Sequence, residues 1–448
     1  MRPYKVLVFI VSCFAVLALM CVVLPHRITV GDRTLKWPTL AEVFGEEAEE
    51  LTDLSDLSDP SDLSDTSDTI PADTVAIEEP QPQKPVLPRV VVDSTTDTRL
   101  FLASFYVALQ HSSEQRVRVV HYGDSQIEED RMTTQIRQHL QDRFGGSGAG
   151  LMPLAQTIPT LTVSQELIMN GRTITPQQGP RRYMVYATKR DQRDDGMYGP
   201  MGQVAVMNDS LVSGSEDITA VCTPQDGRTR YTRWQILADS TIRYDISGDT
   251  VHLYGRGSVY GLSQESETGI IVDNIPMRGS LGLVFNKIDT TQLRTFYADN
   301  NVRLIIMQFG GNAIPYTEKP GTIQSIVRSL RRQVRYLRMC APEASILFIG
   351  PSDMLTFIDG EPQTYPMIPY MDQLLRKMAL EEQIGYFSLF RWMGGEGSMA
   401  HWQEIGLAGK DGIHFMRSGA RKAGNAVANW ILEGIDLSND QRQTTNDQ

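Results

Sequence analysis

The chain has 448 residues, 41% of them hydrophobic and 21% charged, which is enough for two compact domains with additional segments. Its net charge of -12 is localised, because sixteen acidic residues between Glu42 and Asp97 are set against only Lys84 and Arg89. The acidity therefore marks one solvated segment, and with no basic patch elsewhere nucleic acid is excluded as a partner.

Residues Val6 to Leu24 carry no charge and follow Arg2 and Lys5. This is about the length needed to cross a bilayer once. No small-x-small cleavage site follows and Met20 precedes Cys21, so residues 6–24 are read as an uncleaved membrane anchor, with a signal segment as the alternative. From Glu46 to about Asp97, within a linker taken as residues 25–98, the composition turns to Asp, Ser, Thr, Glu and Pro, including the near-repeat from Leu51 to Asp65. Such a stretch buries too little apolar surface to offset its chain entropy, and it predicts an acidic, disordered linker. An anchor followed by a tether places the folded part outside the cytoplasm, on the inner membrane facing the periplasm or otherwise extracytoplasmic. Cys13 and Cys21 lie in the apolar run. Cys222 and Cys340 remain and are expected as separate buried thiols. No zinc spacing exists, and neither a metal nor a cofactor is expected.

Folded sequence begins near residue 99. A helix with an apolar face at Leu100, Phe101, Phe105 and Val107 precedes the strand Arg116 to Tyr122. The strand runs into Gly123-Asp124-Ser125-Gln126, and helical sequence follows from Ile127 to Arg143. A strand that ends in Gly-Asp-Ser presents a serine hydroxyl at the carboxyl edge of a sheet, where open α/β sheets hold their ligands. The Gly-rich loop from Phe144 to Met152 lacks the Lys-Ser/Thr of a phosphate loop and reads as the exit from this unit.

Residues 159–268 show short alternating runs separated by turn residues, with no helical period. They predict an all-β insert, a sandwich or jelly roll. Strands then alternate with helices again. Apolar strands are expected at Ile270 to Ile275, Val302 to Phe309 and Ser345 to Gly350, helices at Leu293 to Asn300, Gly321 to Met339 and Met371 to Gln383, then a strand from Gly385 and a closing helix from Arg417 to Leu432. This alternation predicts a parallel sheet covered on both faces. The α/β domain is thus split into residues 99–158 and 269–436, with a polar tail at 437–448.

Three loops end at the carboxyl edge of that sheet: Gly123-Asp124-Ser125, Gly310-Gly311-Asn312, and Asp411-Gly412-Ile413-His414, with Arg278-Gly279-Ser280 as a fourth. An Asp three residues before a His lets the carboxylate hold one ring nitrogen while the other faces a nucleophile, the pairing a serine hydrolase needs. Each residue also has a structural reading: Ser125 as a helix cap, Asn312 as a loop residue in a left-handed conformation, His414 as a satisfied loop histidine and Gly279 as a turn glycine. Gly-x-Ser-x-Gly is absent around Ser125, which excludes the α/β-hydrolase elbow. Taken in chain order, the four loops resemble the Ser, Gly, Asn and His blocks of the SGNH, or GDSL-like, hydrolases. The Asn block departs from the family at Ala313, where an acidic residue is common. The Gly block is assigned to Gly279, with Gly150 as its competitor.

This resemblance implies a three-layer, flavodoxin-like α/β hydrolase domain interrupted by the β insert. It also implies Ser125 as nucleophile, His414 as base, Asp411 as orienter, and an oxyanion hole of Ser125, Gly279 and Asn312. Inserted β modules in this arrangement resemble those of peptidoglycan O-acetylesterases. The expected substrate is therefore an acetylated cell-envelope or extracellular glycan, peptidoglycan first. Acetyl transfer to a glycan and a catalytically silent, tethered glycan-binding protein are the alternatives. The sequence leaves the oligomeric state open.

Overall fold

The computed structural model describes residues 27–30 and 33–36 and most of 87–446, the exceptions in that range being 94, 155, 157, 170–171, 175–204, 208–216, 226–229 and 359. The expected anchor at 6–24 lies outside the described residues. Among the described residues no helix is long and apolar enough to cross a membrane.

In the amino-terminal unit, β1 (Arg27–Val30) and β2 (Arg33–Lys36) form an antiparallel ladder that pairs Arg27 with Lys36. Residues 37–86, most of the expected linker, lie outside the described residues. Ile28, Thr29, Val30 and Thr34 are β-branched, and such residues favour extended backbone locally.

The second unit holds the α/β domain and the insert. Five parallel strands form the central sheet: β3 (Arg116–Gly123), β13 (Gly269–Pro276), β14 (Val302–Gln308), β15 (Ser345–Gly350) and β18 (Gly385–Ser388). Their spatial order is β13-β3-β14-β15-β18. Counted along the chain this is 2-1-3-4-5, the flavodoxin-like winding, whose switch point lies between β3 and β14.

The strands are apolar throughout because both faces are covered. Val120, Tyr122, Ile305, Met307, Ile346 and Phe348 face one layer, which contains α3 (Thr290–Asp299), α4 (Pro320–Cys340) and α5 (Ile368–Glu382). Val117, Val119, Leu304, Ile306, Leu347 and Ile349 face the other, with α1 (Ala103–Leu109), α2 (Thr133–Phe144) and α8 (Arg417–Asn446). The pattern on α4 shows how sequence selects a face. Ile323, Val327, Leu330, Val334 and Leu337 recur at helical spacing and are buried, and the proline at its start lacks the amide that a first helical turn leaves unpaired. The short helices α6 (Leu389–Met393) and α7 (Ser398–Glu404) follow β18. A small hairpin, β16 (Leu355–Ile358) with β17 (Glu361–Thr364), stands at the carboxyl edge.

The insert is a pair of antiparallel sheets. One has the order β10-β11-β8-β5-β6, from Ile242–Ser247, Thr250–Gly255, Ile218–Pro224, Val163–Met169 and Arg172–Ile174. The other gathers β4 (Gly150–Met152), β7 (Ala205–Met207) and β9 (Arg233–Ala238) on the long β12 (Gly257–Glu265). Met152, Val163, Ala220, Val251, Leu253, Val259 and Leu262 meet between them as a third core. Its sheets take in Gly150–Met152, ahead of residue 159, because β4 runs antiparallel to β12 and bonds along it. Cys222 in the insert and Cys340 in α4 are both buried and free, and burial pushes the Cys222 thiol up to about 12.

The insert is joined to the α/β domain through buried charge. Arg118 of β3 donates to Asp273 of β13 at 2.7 Å and to Glu265 at the end of β12, and all three side chains are inaccessible to solvent. Asp273 Oδ1 also accepts the Leu151 amide of β4 at 2.8 Å. Removing one member of such a cluster strands the opposite charges in a low-dielectric interior, at a cost of about 3–5 kcal/mol. Arg118→Met is therefore expected to lower the unfolding free energy by about that amount. Urea denaturation followed by circular dichroism measures it, and a loss under about 1 kcal/mol would show that the cluster does not hold the junction.

Candidate functional site

The site forms at the carboxyl edge of β3 and β14, on both sides of the switch point. Ile127 packs closely over Gly123, where an added Cβ would lie 2.9 Å from its Cδ1 and displace that side chain. Asp124 then caps the following turn, accepting from the Gln126 amide at 3.0 Å. Ser125 begins a 3-10 turn, and its Oγ lies 2.8 Å from His414 Nε2.

His414 sits in the loop before α8. Its Nδ1 is 2.7 Å from Asp411 Oδ2, while Asp411 Oδ1 accepts the backbone amides of Ile413 and His414, each at 3.0 Å. A carboxylate on Nδ1 selects the tautomer that carries its proton there. Nε2 is then an acceptor, and the Ser125 hydroxyl donates to it. Burial works against the Asp411 charge, but the hydrogen bonds from His414 and the two amides outweigh it and hold its carboxyl below the ordinary value.

The two loops are held to each other by side chains that the sequence did not single out for this role. Gln126 Nε2 donates to the Ile413 carbonyl at 2.7 Å, and its Oε1 accepts the Phe415 amide at 3.4 Å. The Arg131 guanidinium donates to the carbonyls of Ser125 (2.6 Å), Gln126 (3.2 Å) and Phe415 (3.1 Å). Neither residue belongs to a periodic pattern. The only local signal was the placement of Gln126 directly after the serine.

Asn312 follows β14. Gly310 turns the chain there with φ of +118°, a left-handed backbone that suits glycine. Asn312 Nδ2 donates one hydrogen to the Ser280 carbonyl at 3.0 Å, leaving a second for another acceptor. Asn312, Ser125 and His414 line one small pocket of about 20 Å³, with Pro351, Met354 and Leu389 among its walls. Gly279, with φ of +72°, lies in the turn that Asn312 grips but is not among the residues lining that pocket. Gly150 lies in β4, where a Cβ would meet Asp273 at 2.7 Å, so it serves the junction with the insert. The structure therefore brings Ser125, His414, Asp411 and Asn312 together and sets Gly279 beside them.

Trp402 and His121 lie in the core, whereas His401 lies on the surface. Trp402 is buried, stacked with Phe415 (5.1 Å between centroids) and Trp392 (5.5 Å). His121 is buried between Gln308 and Thr133, and desolvation drives its ring down to about 3. His401 is exposed, 3.6 Å from Glu404.

A serine held in this way can pass its proton to imidazole as it attacks a carbonyl, and the carboxylate stabilises the imidazolium that results. No known family profile matches the sequence, and no curated protein matches it. Among solved structures, a peptidoglycan O-acetylesterase superposes with a TM-score of 0.57 at 21% identity, covering 78% of this chain and 99% of its own. An acetyl xylan esterase (TM-score 0.26, 14% identity, 37% of this chain and 80% of its own) and a salicylyl-acyltransferase from a tetracycline biosynthetic pathway (0.27, 11%, 46% and 73%) are likenesses too slight to argue from. The molecule has the fold of the SGNH, or GDSL-like, hydrolases: a three-layer parallel α/β domain interrupted by an inserted β domain. Its architecture is similar to that of the peptidoglycan O-acetylesterase over nearly the whole of that protein.

Asp124, buried beneath the serine, carries a testable pH signature. Burial pushes its carboxyl up from the ordinary 3.8 to about 6, against the opposing bond from the Gln126 amide. Between those values the folded protein keeps a proton that the unfolded chain releases, so this contribution to stability falls as pH rises through the window. Asp411 acts oppositely, its contribution present above the ordinary carboxylate value and lost as pH falls through the lowered one. Asp124→Asn keeps the capping oxygen without the charge. Relative to wild type, it should gain up to about 3 kcal/mol in urea unfolding between pH 4 and pH 7. Parallel stability curves for the two proteins would refute the assignment.

Proposed function

We propose that this protein is a serine esterase that removes O-acetyl groups from a cell-envelope or extracellular glycan, peptidoglycan first, through an acyl-enzyme. The observation that carries this reading is the unbroken chain from Ser125 Oγ to His414 Nε2 at 2.8 Å and from His414 Nδ1 to Asp411 at 2.7 Å. Ser125 attacks the ester carbonyl while His414 takes its proton. The tetrahedral oxyanion is held by the amides of Ser125 and Gly279 and by the Asn312 side chain. As the intermediate collapses, the imidazolium of His414 protonates the departing sugar oxygen, which leaves as the free hydroxyl, and neutral His414 next activates the water that releases acetate.

Three further observations support it. The fold is shared with a peptidoglycan O-acetylesterase. The pocket beside Ser125, at about 20 Å³, offers little more room than a water-sized guest needs, so it suits an acyl group no longer than acetyl. The sequence pattern of residues 6–24 and the acidic stretch after it suit an enzyme tethered outside the cytoplasm.

Release of acetate from O-acetylated peptidoglycan is the deciding measurement. Ser125→Ala should abolish it, Asp411→Asn should lower kcat by roughly 10³- to 10⁴-fold, and Asn312→Ala by about 10²- to 10³-fold. Activity on p-nitrophenyl esters should fall at least about tenfold from acetyl to butyryl as the pocket is outgrown. A folded wild-type protein that frees no acetate from any acetylated glycan would overturn the proposal. A sugar acceptor that outcompetes water for the acyl group would make it a transferase.

A further inference from the structure

A second and larger cleft, of about 410 Å³, lies between the insert and the α/β domain and is open to solvent. It falls within the range of small-ligand sites. Two routes lead to it from the serine. Along the chain, Ser125 is followed by Glu128, which lines the cleft. Across the sheet edge, Asn312 holds the Ser280 carbonyl, and Arg278 of the same turn lines the cleft beside Glu128. Gln156 and Thr160, from the chain entering the insert, complete a polar wall.

The backbone at this place is strained and braced. Glu129 and Asp130 both have φ of +60°, left-handed conformations that non-glycine residues adopt at a cost. Three contacts hold them. Arg137 pairs with Asp130 at 2.5 Å, the Thr162 hydroxyl donates to the same carboxylate, and the Leu161 amide donates to the Glu129 carbonyl at 2.9 Å. Leu161 and Thr162 lead into β5, so the insert fixes the elbow that carries Glu128. The charges of Asp130 and Arg137 satisfy each other, and Glu129 reaches Arg417 at 3.3 Å. Glu128 differs, its side chain being 12% exposed and its charged neighbour Arg278 lying 3.7 Å away, beyond hydrogen-bond reach. Arg278 is itself largely exposed. A half-enclosed carboxylate and a guanidinium on one cleft wall are an acceptor and a donor placed for a polyhydroxylated ligand.

Resting on the esterase reading, we infer that this cleft is a saccharide subsite continuous with the catalytic serine. It takes the pyranose next to the one that bears the ester. Glu128 accepts hydrogen bonds from its hydroxyl or acetamido groups, and Arg278 donates to its oxygens. The insert thereby shapes substrate choice through the elbow it braces.

The test compares two substrates in one protein. For wild type, Glu128→Gln and Arg278→Ala, kcat/KM is measured on O-acetylated peptidoglycan strands and on p-nitrophenyl acetate, with thermal melting to verify folding. The ratio of glycan to small-ester activity should fall tenfold or more in both variants. An unchanged ratio in folded variants overturns the subsite and leaves the esterase standing. If wild type hydrolyses no ester at all, the esterase reading fails separately. The subsite is then judged by calorimetric titration of a β-1,4-linked N-acetylglucosamine tetramer into Ser125→Ala protein. A tenfold loss of affinity on adding Glu128→Gln supports it, and equal affinity or no binding overturns it.

Discussion

The buried guanidinium of Arg118 is the constraint on which the arrangement depends. It lies in β3, the strand that delivers Ser125, and it holds one carboxylate from β13 and one from the end of β12. The insert returns to the sheet where β12 leads into β13. An isolated charge in that interior would cost several kcal/mol, so the three side chains are stable only together. The insert therefore meets the α/β domain with the end of its last strand fixed against β3 and β13. Arg137, pairing with Asp130 and donating to the Val272 carbonyl, makes a second tie on the same side of β3.

From this junction to the serine, order is passed on by backbone contacts more than by side-chain chemistry. Arg131 engages three carbonyls, and Gln126 engages one carbonyl and one amide. Each of the two joins the serine loop to the histidine loop. Ser125 and His414 are far apart in the chain, and their loops are tied together by these side chains. A guanidinium offers five donors in a rigid plane, and so can hold several carbonyls at once where a lysine could not. Asp124 braces its turn while buried, and that burial raises its pKa.

The fold, and the loops that bring Ser125, Asp411 and His414 together, were legible in the sequence because each left a local pattern. Buried parallel strands are continuous apolar runs, as in Val302 to Gln308, and helices such as α4 repeat their apolar residues at 3.6. The loops at Ser125, Asn312 and His414 stood out through glycines and polar residues directly after those runs. What escaped notice depends on pairing across long separations. Gly150–Met152 reads as loop until β12 lies beside it. The hairpin from Leu355 to Thr364 is short, and its contact with the histidine loop is the Leu355 amide on the Gly412 carbonyl. The helical pattern expected from Ile127 is broken at Glu128 and Glu129, because tertiary contacts from Arg137 and the insert override local propensity. Arg131 resembled any other arginine on a helical stretch, and only its three acceptors distinguish it. The last helix runs on to Asn446, where the sequence had suggested a polar tail from 437.

The strand order has a consequence for how the protein comes to be folded. β3 lies second in the sheet, between β13 and β14, and both neighbours are encoded after the insert. As the chain leaves the ribosome, the first strand of the sheet waits with both edges unpaired until more than a hundred further residues have emerged. Contacts so distant in sequence slow folding and leave strand edges exposed meanwhile. The insert carries the local hairpins β5–β6 and β10–β11 within it, and can begin to assemble before β13 and β14 have emerged. It is then also the scaffold against which the parallel sheet forms, with β12 leading directly into β13.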